Sequence, residues 1–481
     1  MRANVTGTGT VTSNSMQILR TVAVVMAAAA SLAAQGPAAP HEEEVMRHYQ
    51  AVLRVDSTDP PGNESGVVAY VKEQLEKEGI ATQIFQLEPN RPNLVARLKG
   101  SGSRRPLLIM AHTDTVNVDP KKWTFPPFSA TRDGGYVYGR GAVDNKQDVA
   151  AGLMTMLRLK REKVALDRDV IFLAEAGEEG TTRVGIMYMA NQQFGAIDAE
   201  YCLAEGGGVT RAGGAVKYAS VATTEKIPRA IELTARGPAG HGSIPLQSNA
   251  LTHLSSAVAA AANWVPPISL NETTAAYFKR LASISTPEEA ERYRAVLSPD
   301  PTVSGPADAF FRKEAPIYAS MLRSSISPTI VQAGYRVNVI PSEVKATLDV
   351  RTTPDQDPEQ FLEMVRKVIN DPSVEVAWAA RDTRPNAAPA RLDSDVFRTI
   401  EANVTKHYST IVLPTMLTGA TDMAYLRAKG MQCYGIGPAT DIEDGPKGFW
   451  AHSDQERILE TEFQRYARFY FDVVRDVAGR K

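Results

Sequence analysis

The chain holds only two cysteines, Cys202 and Cys433, in 481 residues. Two thiols close at most one disulfide, which excludes a disulfide-dense scaffold, and their setting does not resemble a thiolate metal site. Both lie among apolar residues and read as buried free thiols. Net charge is missing as well: 53 Lys and Arg stand against 55 Asp and Glu, a balance of -2. No basic stretch interleaves with aromatics, so no electrostatic feature directs the chain toward nucleic acid. Past the first forty residues, no apolar run reaches the length of a membrane span.

What is present is an ordinary globular composition, 43% hydrophobic and 22% charged, at a length that favours more than one domain. The first forty residues differ from the rest. Arg20 precedes the apolar run Thr21–Met26 and a stretch of alanines, and Ser31–Gln35 offers small residues for cleavage. Residues 1–34 read as a bacterial-type secretory signal, cut near Ala33 or Ala34, with Met16 an alternative start. The expectation is a secreted or periplasmic protein without stable membrane insertion after processing.

Hydrophobic periodicity divides the remainder. Residues 42–80 show helical rhythm on either side of the turn-rich Ser57–Asn63. Asn93–Leu98, Pro106–Ala111, Val170–Ala174 and Tyr201–Ala204 read as strands, with helices at Gln147–Leu159 and Val184–Gln192. This alternation predicts a layered α/β domain over 42–224. The pattern then changes. Arg229–Ala235, Asn249–Ala262, Val337–Val350, Pro358–Ile369 and Val374–Trp378 give a β-α-β-β-α-β order, a small sheet covered by two helices over 225–390. Around 265–330 it is interrupted by a mixed, proline-bearing segment, which fits an extension of the small domain or a partner interface equally well. Residues 391–481 return to α/β character and complete the first domain.

Chemistry-bearing residues sit at the ends of the apolar strands. His112 and Asp114 follow Pro106–Met110. Asp144 lies in Gly141–Asn145, Glu178 and Glu179 follow Val170–Leu173, Glu205 follows Tyr201–Ala204, and His452 lies far downstream. Acidic strand ends also serve as helix caps, and a lone histidine is commonly structural. The ordered combination is what points to a metal centre. A mixed imidazole and carboxylate set suits two divalent ions, zinc first, with cobalt or manganese also compatible. Asp144 can bridge two ions through its two oxygens. Asp114 is placed to orient the His112 ring. Of the paired glutamates, Glu179 is assigned to metal and Glu178 to proton transfer.

Ala111-His112-Thr113-Asp114, Gly139 to Lys146, Ala176 to Gly180, Gly240 to Ser243, Asn338 to Pro341 and Ala451 to Ser453 together resemble the M20 family of metallopeptidases and amidohydrolases. That group includes carboxypeptidases, aminoacylases and deacylases. The resemblance implies a zinc-exopeptidase-like mixed-sheet catalytic domain with an inserted ferredoxin-like α+β lid. It implies one metal on His112, Asp144 and Glu205 and a second on Asp144, Glu179 and His452. It further implies Glu178 as general acid/base and a cis peptide between Asp144 and Asn145. His241 would stabilise the tetrahedral oxyanion, in some relatives from a second subunit, so a homodimer stays open. Asn338 and Arg351 belong to the lid side of the cleft, where Arg351 can take a substrate carboxylate through two hydrogen bonds. Gly419 and Gly437 are read as pocket walls that allow close backbone approach. The substrate is then a small peptide or an N-acyl amino acid. Carboxypeptidase or dipeptidase action stands beside aminoacylase or deacetylase action, with Glu205 leaning toward the deacylases. A catalytically impaired, metal-stabilised binding protein and a lid-mediated assembly protein are the alternatives. Retention of every proposed ligand and of Glu178 argues against the first.

Overall fold

The computed structural model describes residues 40–380 and 384–480. The signal reading of residues 1–34 lies outside the described residues. Among those described, no helix is long and apolar enough to cross a membrane.

The apolar runs become Leu107–His112 and Val170–Glu175, neighbouring strands of a ten-stranded sheet, buried along their whole length. Both of their faces are covered, which is why they read as unbroken apolar runs. The pleat divides their side chains between two cores. Leu107, Ile109, Val170 and Phe172 join the helices Pro40–Leu53, Lys146–Arg161 and Glu460–Ala478 on one face. Leu108, Met110, Ile171 and Leu173 join Ile186–Gln192 and Met423–Ala428 on the other. Gly152 lets the helix Lys146–Arg161 lie close on the sheet, since a Cβ there would come within 2.8 Å of the Phe172 ring.

The sheet runs in the order Thr82–Gln86, Pro92–Leu98, Val170–Glu175, Leu107–His112, Tyr201–Ala204, Gln432–Gly435, Ala215–Glu225, Gly208–Ala212, Ala439–Asp441. Val412–Leu417 lies parallel to Ala215–Glu225. The four strands from Val170–Glu175 to Gln432–Gly435 are parallel to one another and end at a common edge. Loops leaving the carboxyl ends of adjacent parallel strands converge, and His112, the turn with Glu178 and Glu179, and Glu205 meet there for that reason. Cys202 and Cys433 are register partners on neighbouring strands, both buried and free.

A second sheet is antiparallel throughout, in the order Ser325–Ala333, Glu343–Thr352, Ile227–Arg236, Val374–Trp378. This is the ferredoxin-like order. The helices Ala250–Asn263 and Pro358–Ile369 pack on one face, against alternate residues such as Ile231, Leu233, Ala346 and Leu348. Pro358–Ile369 is legible in the sequence at both ends. The Asp357 side chain accepts from Gln360 N, Pro358 opens the first turn, and Asn370 closes the helix in the left-handed region at φ 47°.

The segment around 265–330 is built of short helices. It forms the helices Glu272–Ala282, Pro287–Ala295, Pro301–Glu314 and Pro316–Met321, whose core of Tyr277, Phe278, Phe311 and Leu322 packs on Leu413 and Tyr218 of the large sheet. Arg280 ties it down, donating to the Val412 carbonyl at 2.8 Å and to Glu401 at 2.6 Å. The segment therefore covers the strand Val412–Leu417 instead of extending the small domain. The cause is apolar: Leu413 would otherwise face water, and an aromatic cluster shields it. Its final stretch, from Ser325, is a strand of the second sheet.

Candidate metal centre

His112 ends its strand, and Glu178, Glu179 and Glu205 lie in the turns just beyond the neighbouring strands. Asp144 and His452 arrive by another route. A three-stranded sheet pairs Tyr136–Tyr138 with Arg457–Leu459, which sets the turn holding Asp144 beside the turn holding His452. A buried clamp fixes both turns. The Glu456 carboxylate accepts from Gly141 N at 3.0 Å, Val143 N at 2.6 Å and Arg140 Nη1 at 2.9 Å. Arg140 Nη2 donates to the Ser453 carbonyl at 2.7 Å. His452 itself sits at φ 61°, in the left-handed region that few residues with a Cβ adopt.

Two donor groups result: His112, Asp144 and Glu205, and Asp144, Glu179 and His452. His112 Nε2 lies 3.1 Å from Asp144 Oδ1 and 3.4 Å from Glu205 Oε2. His452 Nε2 lies 3.1 Å from Asp144 Oδ2 and 3.1 Å from Glu179 Oε2. Asp144 thus turns one oxygen to each group. The peptide Asp144–Asn145 is cis. Asn145 Nδ2 donates to Glu205 Oε2 at 2.9 Å and to Asp148 at 3.2 Å, and Asp148 accepts from the buried Tyr466 hydroxyl at 2.6 Å.

Asp114 serves both sides of the site. His112 Nδ1 faces its main-chain oxygen at 3.2 Å and its carboxylate at 3.4 Å. The same carboxylate accepts from the backbone N–H groups of Gly177, Glu178 and Glu179 at 3.0, 3.2 and 3.0 Å. One buried side chain therefore sets the histidine and the loop that carries both glutamates. Asp114 also belongs to a third acidic group, with Asp59 and Glu64. There Arg91 already supplies the positive charge, donating to Asp59 at 2.8 Å and to Glu64 at 2.7 Å. That group calls for no ion.

Charge distinguishes the first two groups. Burial, reinforced by Glu205 and Asp422, pushes the Glu178 carboxyl well above its ordinary range. Burial raises Glu179 too, against the hydrogen bond from His452. Burial opposes charge on His112, but Glu205 and the hydrogen bonds to Asp114, Asp144 and Glu205 overcome it and raise the ring's pKa well above normal. Hydrogen bonds to Asp144 and Glu179 push His452 up to about 10. These shifts share one cause, several carboxylates crowded with two imidazoles out of water. Two divalent cations between imidazole nitrogens and carboxylate oxygens offset that crowding with the donor types zinc prefers.

The remaining residues singled out in the sequence lie apart from the ligands. His241 and Asn338 are brought together on the second domain: His241 pairs with Val339, and Gly242 N donates to the Asn338 carbonyl at 2.9 Å. His241 Nδ1 bonds Ser243 Oγ at 2.7 Å, and the residue is exposed. Arg351 Nε donates to Asp349 at 2.9 Å. Among the described residues, no hydrogen bond or ion pair joins His241, Asn338 or Arg351 to the donor groups. Gly437 does permit close approach, since a Cβ there would lie 2.4 Å from the Gly207 carbonyl oxygen. Gly419 faces open space, where a Cβ would meet nothing within 4 Å, so close approach does not explain this glycine.

Sequence reasoning missed Arg384, whose Nη2 donates to Glu178 Oε1 at 2.6 Å and to Asp422 Oδ1 at 3.2 Å. It lies in a stretch without periodicity, and no local signal marks it. The Arg140–Glu456 clamp was also missed, although Arg140 falls inside a quoted motif and Glu456 follows closely on His452.

The family model described as Peptidase family M20/M25/M40 matches residues 108–476. The chain belongs to this family and is an M20-type hydrolase. Mouse (Mus musculus) aminoacylase-1 is 24% identical over 90% of this chain and 94% of its own length. A carboxypeptidase S-like protein of Dictyostelium discoideum is 26% identical over 80% of this chain and 74% of its own. Among solved structures, the M20 family metallo-carboxypeptidase Sso-CP2 from Sulfolobus solfataricus superimposes with a TM-score of 0.67 at 20% identity, covering 91% of this chain and 99% of that one. The fold is thus that of M20 peptidases.

Proposed function

We propose that the protein hydrolyses the amide bond of a small peptide or an N-acyl amino acid with a free carboxylate, using two divalent metal ions, zinc by preference. The observation that carries this reading is Asp144, which presents one oxygen to each donor group. His112, Asp144 and Glu205 would hold one ion; Asp144, Glu179 and His452 would hold the other. When bound, such a pair acidifies water and polarises a carbonyl. Glu178 takes the proton of the attacking water and returns it to the leaving nitrogen. Asp114 keeps the His112 ring and the Glu178–Glu179 backbone in register. Arg351 receives the substrate carboxylate, and His241, with Asn338 beside it, meets the developing oxyanion from the lid. Because His241 has no contact with the donor groups within the described chain, it reaches the carbonyl through lid closure or from a second copy. Asn338 orients the substrate, and Gly437 lets its backbone stand close against Gly207.

The purified mature protein should turn over dipeptides or N-acyl amino acids, lose that turnover to a chelator and regain it with zinc, at two metal equivalents per chain. A chelator-insensitive turnover, or full metal content without any turnover, refutes the reading. Export is proposed from the sequence around Arg20 and Ala34 alone. Sequencing the amino terminus of protein recovered from its host decides it: an intact terminus on cytoplasmic protein overturns export.

A further inference from the structure

Arg384 lies in the segment that returns from the strand Val374–Trp378 to the helix Asp395–Tyr408. That segment is fastened to both layers. Ala379 N donates to the Ala230 carbonyl at 2.8 Å, and Asn386 Oδ1 accepts from Arg229 at 2.8 Å, both on the second sheet. Ala390 N donates to the Thr223 carbonyl of the large sheet at 2.8 Å. Between these anchors the Arg384 side chain enters the site, where it is the sole cation in contact with Glu178 among the described residues.

Its second partner sits on a braced turn. Asp422 is fully buried. Its neighbour Thr421 donates through both backbone and hydroxyl to Glu225, at 3.0 and 2.7 Å, and Arg427 donates to the same glutamate at 2.9 Å. Asp422 therefore fixes the guanidinium, and the guanidinium fixes Glu178. Backbone donation to Asp114 sets where the Glu178 main chain lies but not its side-chain torsions. Glu205 and Asp422 repel an unpartnered carboxylate here. A planar guanidinium with several donors can serve both carboxylates at once.

We propose that Arg384 is a positioning residue for Glu178. Anchored on Asp422, it holds one carboxylate oxygen and leaves the other to take and return the proton. This rests on the reading of Glu178 as the acid/base group. The competing account is a structural tether that merely fastens the linking segment, for which metal content and stability would change and kcat would not.

The test compares Arg384→Gln, Arg384→Lys, Glu178→Gln and the double variant Glu178→Gln/Arg384→Gln as zinc-loaded full-length enzymes. It measures metal content, thermal midpoint, kcat and KM. Positioning predicts that Arg384→Gln keeps its metal, stays folded at the assay temperature even with a lowered midpoint, and loses about 10- to 100-fold in kcat, the scale of one charge-assisted hydrogen bond. Arg384→Lys should recover part of that, because an ammonium holds Glu178 without the fixed fork. The double variant should be no slower than Glu178→Gln alone. Unchanged kcat in Arg384→Gln beside an inactive Glu178→Gln overturns the Arg384 role alone. So does a kcat loss that only follows lost metal or unfolding at the assay temperature, or a further loss in the double variant. If Glu178→Gln itself turns over normally, the Glu178 assignment fails instead.

Discussion

Replacing Asp114 by asparagine changes one atom type at the point where the two halves of the site are joined. Three backbone N–H groups converge on two carboxylate oxygens: Gly177 and Glu178 on Oδ1, Glu179 on Oδ2. An amide has one acceptor oxygen. With that oxygen at the Oδ1 position, the new NH2 group faces the Glu179 N–H, donor against donor. Flipped, it faces two N–H groups, which is worse. The better orientation still exchanges one charge-assisted hydrogen bond for a repulsive contact in a fully buried position, a cost of about 2–3 kcal/mol. A domain of ordinary stability survives that. The displaced group is the backbone of Glu179, and the His112 ring loses a negative partner at its Nδ1. Metal affinity should fall by about 10- to 100-fold, the usual penalty for losing such a supporting contact. Competition against a chromogenic chelator measures this directly, and the thermal midpoint with and without zinc checks that the loss is of metal. An Asp114→Asn protein that binds both equivalents as tightly as the parent, with the same midpoint, refutes the reasoning.

Other outcomes follow from the same geometry. Glu456→Gln should weaken metal binding by a comparable factor, because its amide must point a donor at Gly141 N, Val143 N or Arg140 and so loosens the clamp on both turns; unchanged affinity by calorimetric titration contradicts the clamp. Arg351→Ala should slow substrates with a free carboxylate more than their matched amides, measured as kcat/KM for each pair, and equal losses remove the carboxylate role. His48 should make stability pH-dependent: burial, opposed by Glu44, holds its pKa down to about 4 against an ordinary 6.5. Between those values the unfolded chain binds the proton and the folded chain does not. The His48 contribution is therefore full above about 6.5 and is lost as pH drops toward 4, by up to about 3 kcal/mol. Urea titrations of metal-free protein across that range should show a weaker pH dependence in His48→Gln, and identical curves count against it.

The central strands were legible because strands buried on both faces must be apolar throughout, and Leu107–Met110 and Val170–Leu173 are. The helix Pro358–Ile369 was legible because Asp357, Pro358 and Asn370 mark its ends with local chemistry. His112, Glu178, Glu179 and Glu205 could be read as neighbours, since each follows a strand of one parallel set. These features depend on residues close in the chain. The tertiary structure alone decided the rest. His452 reaches Asp144 because Arg457–Leu459 pairs with Tyr136–Tyr138, and no periodicity announces which distant strands pair. The helices between Glu272 and Met321 cover Leu413 and not the second sheet, because packing follows exposed apolar surface wherever the fold leaves it. Arg384 meets Glu178 and Asp422 across three separate stretches of chain. A buried ion pair of that kind has no signature in composition or spacing. It exists only where the folded backbone brings opposite charges together out of water.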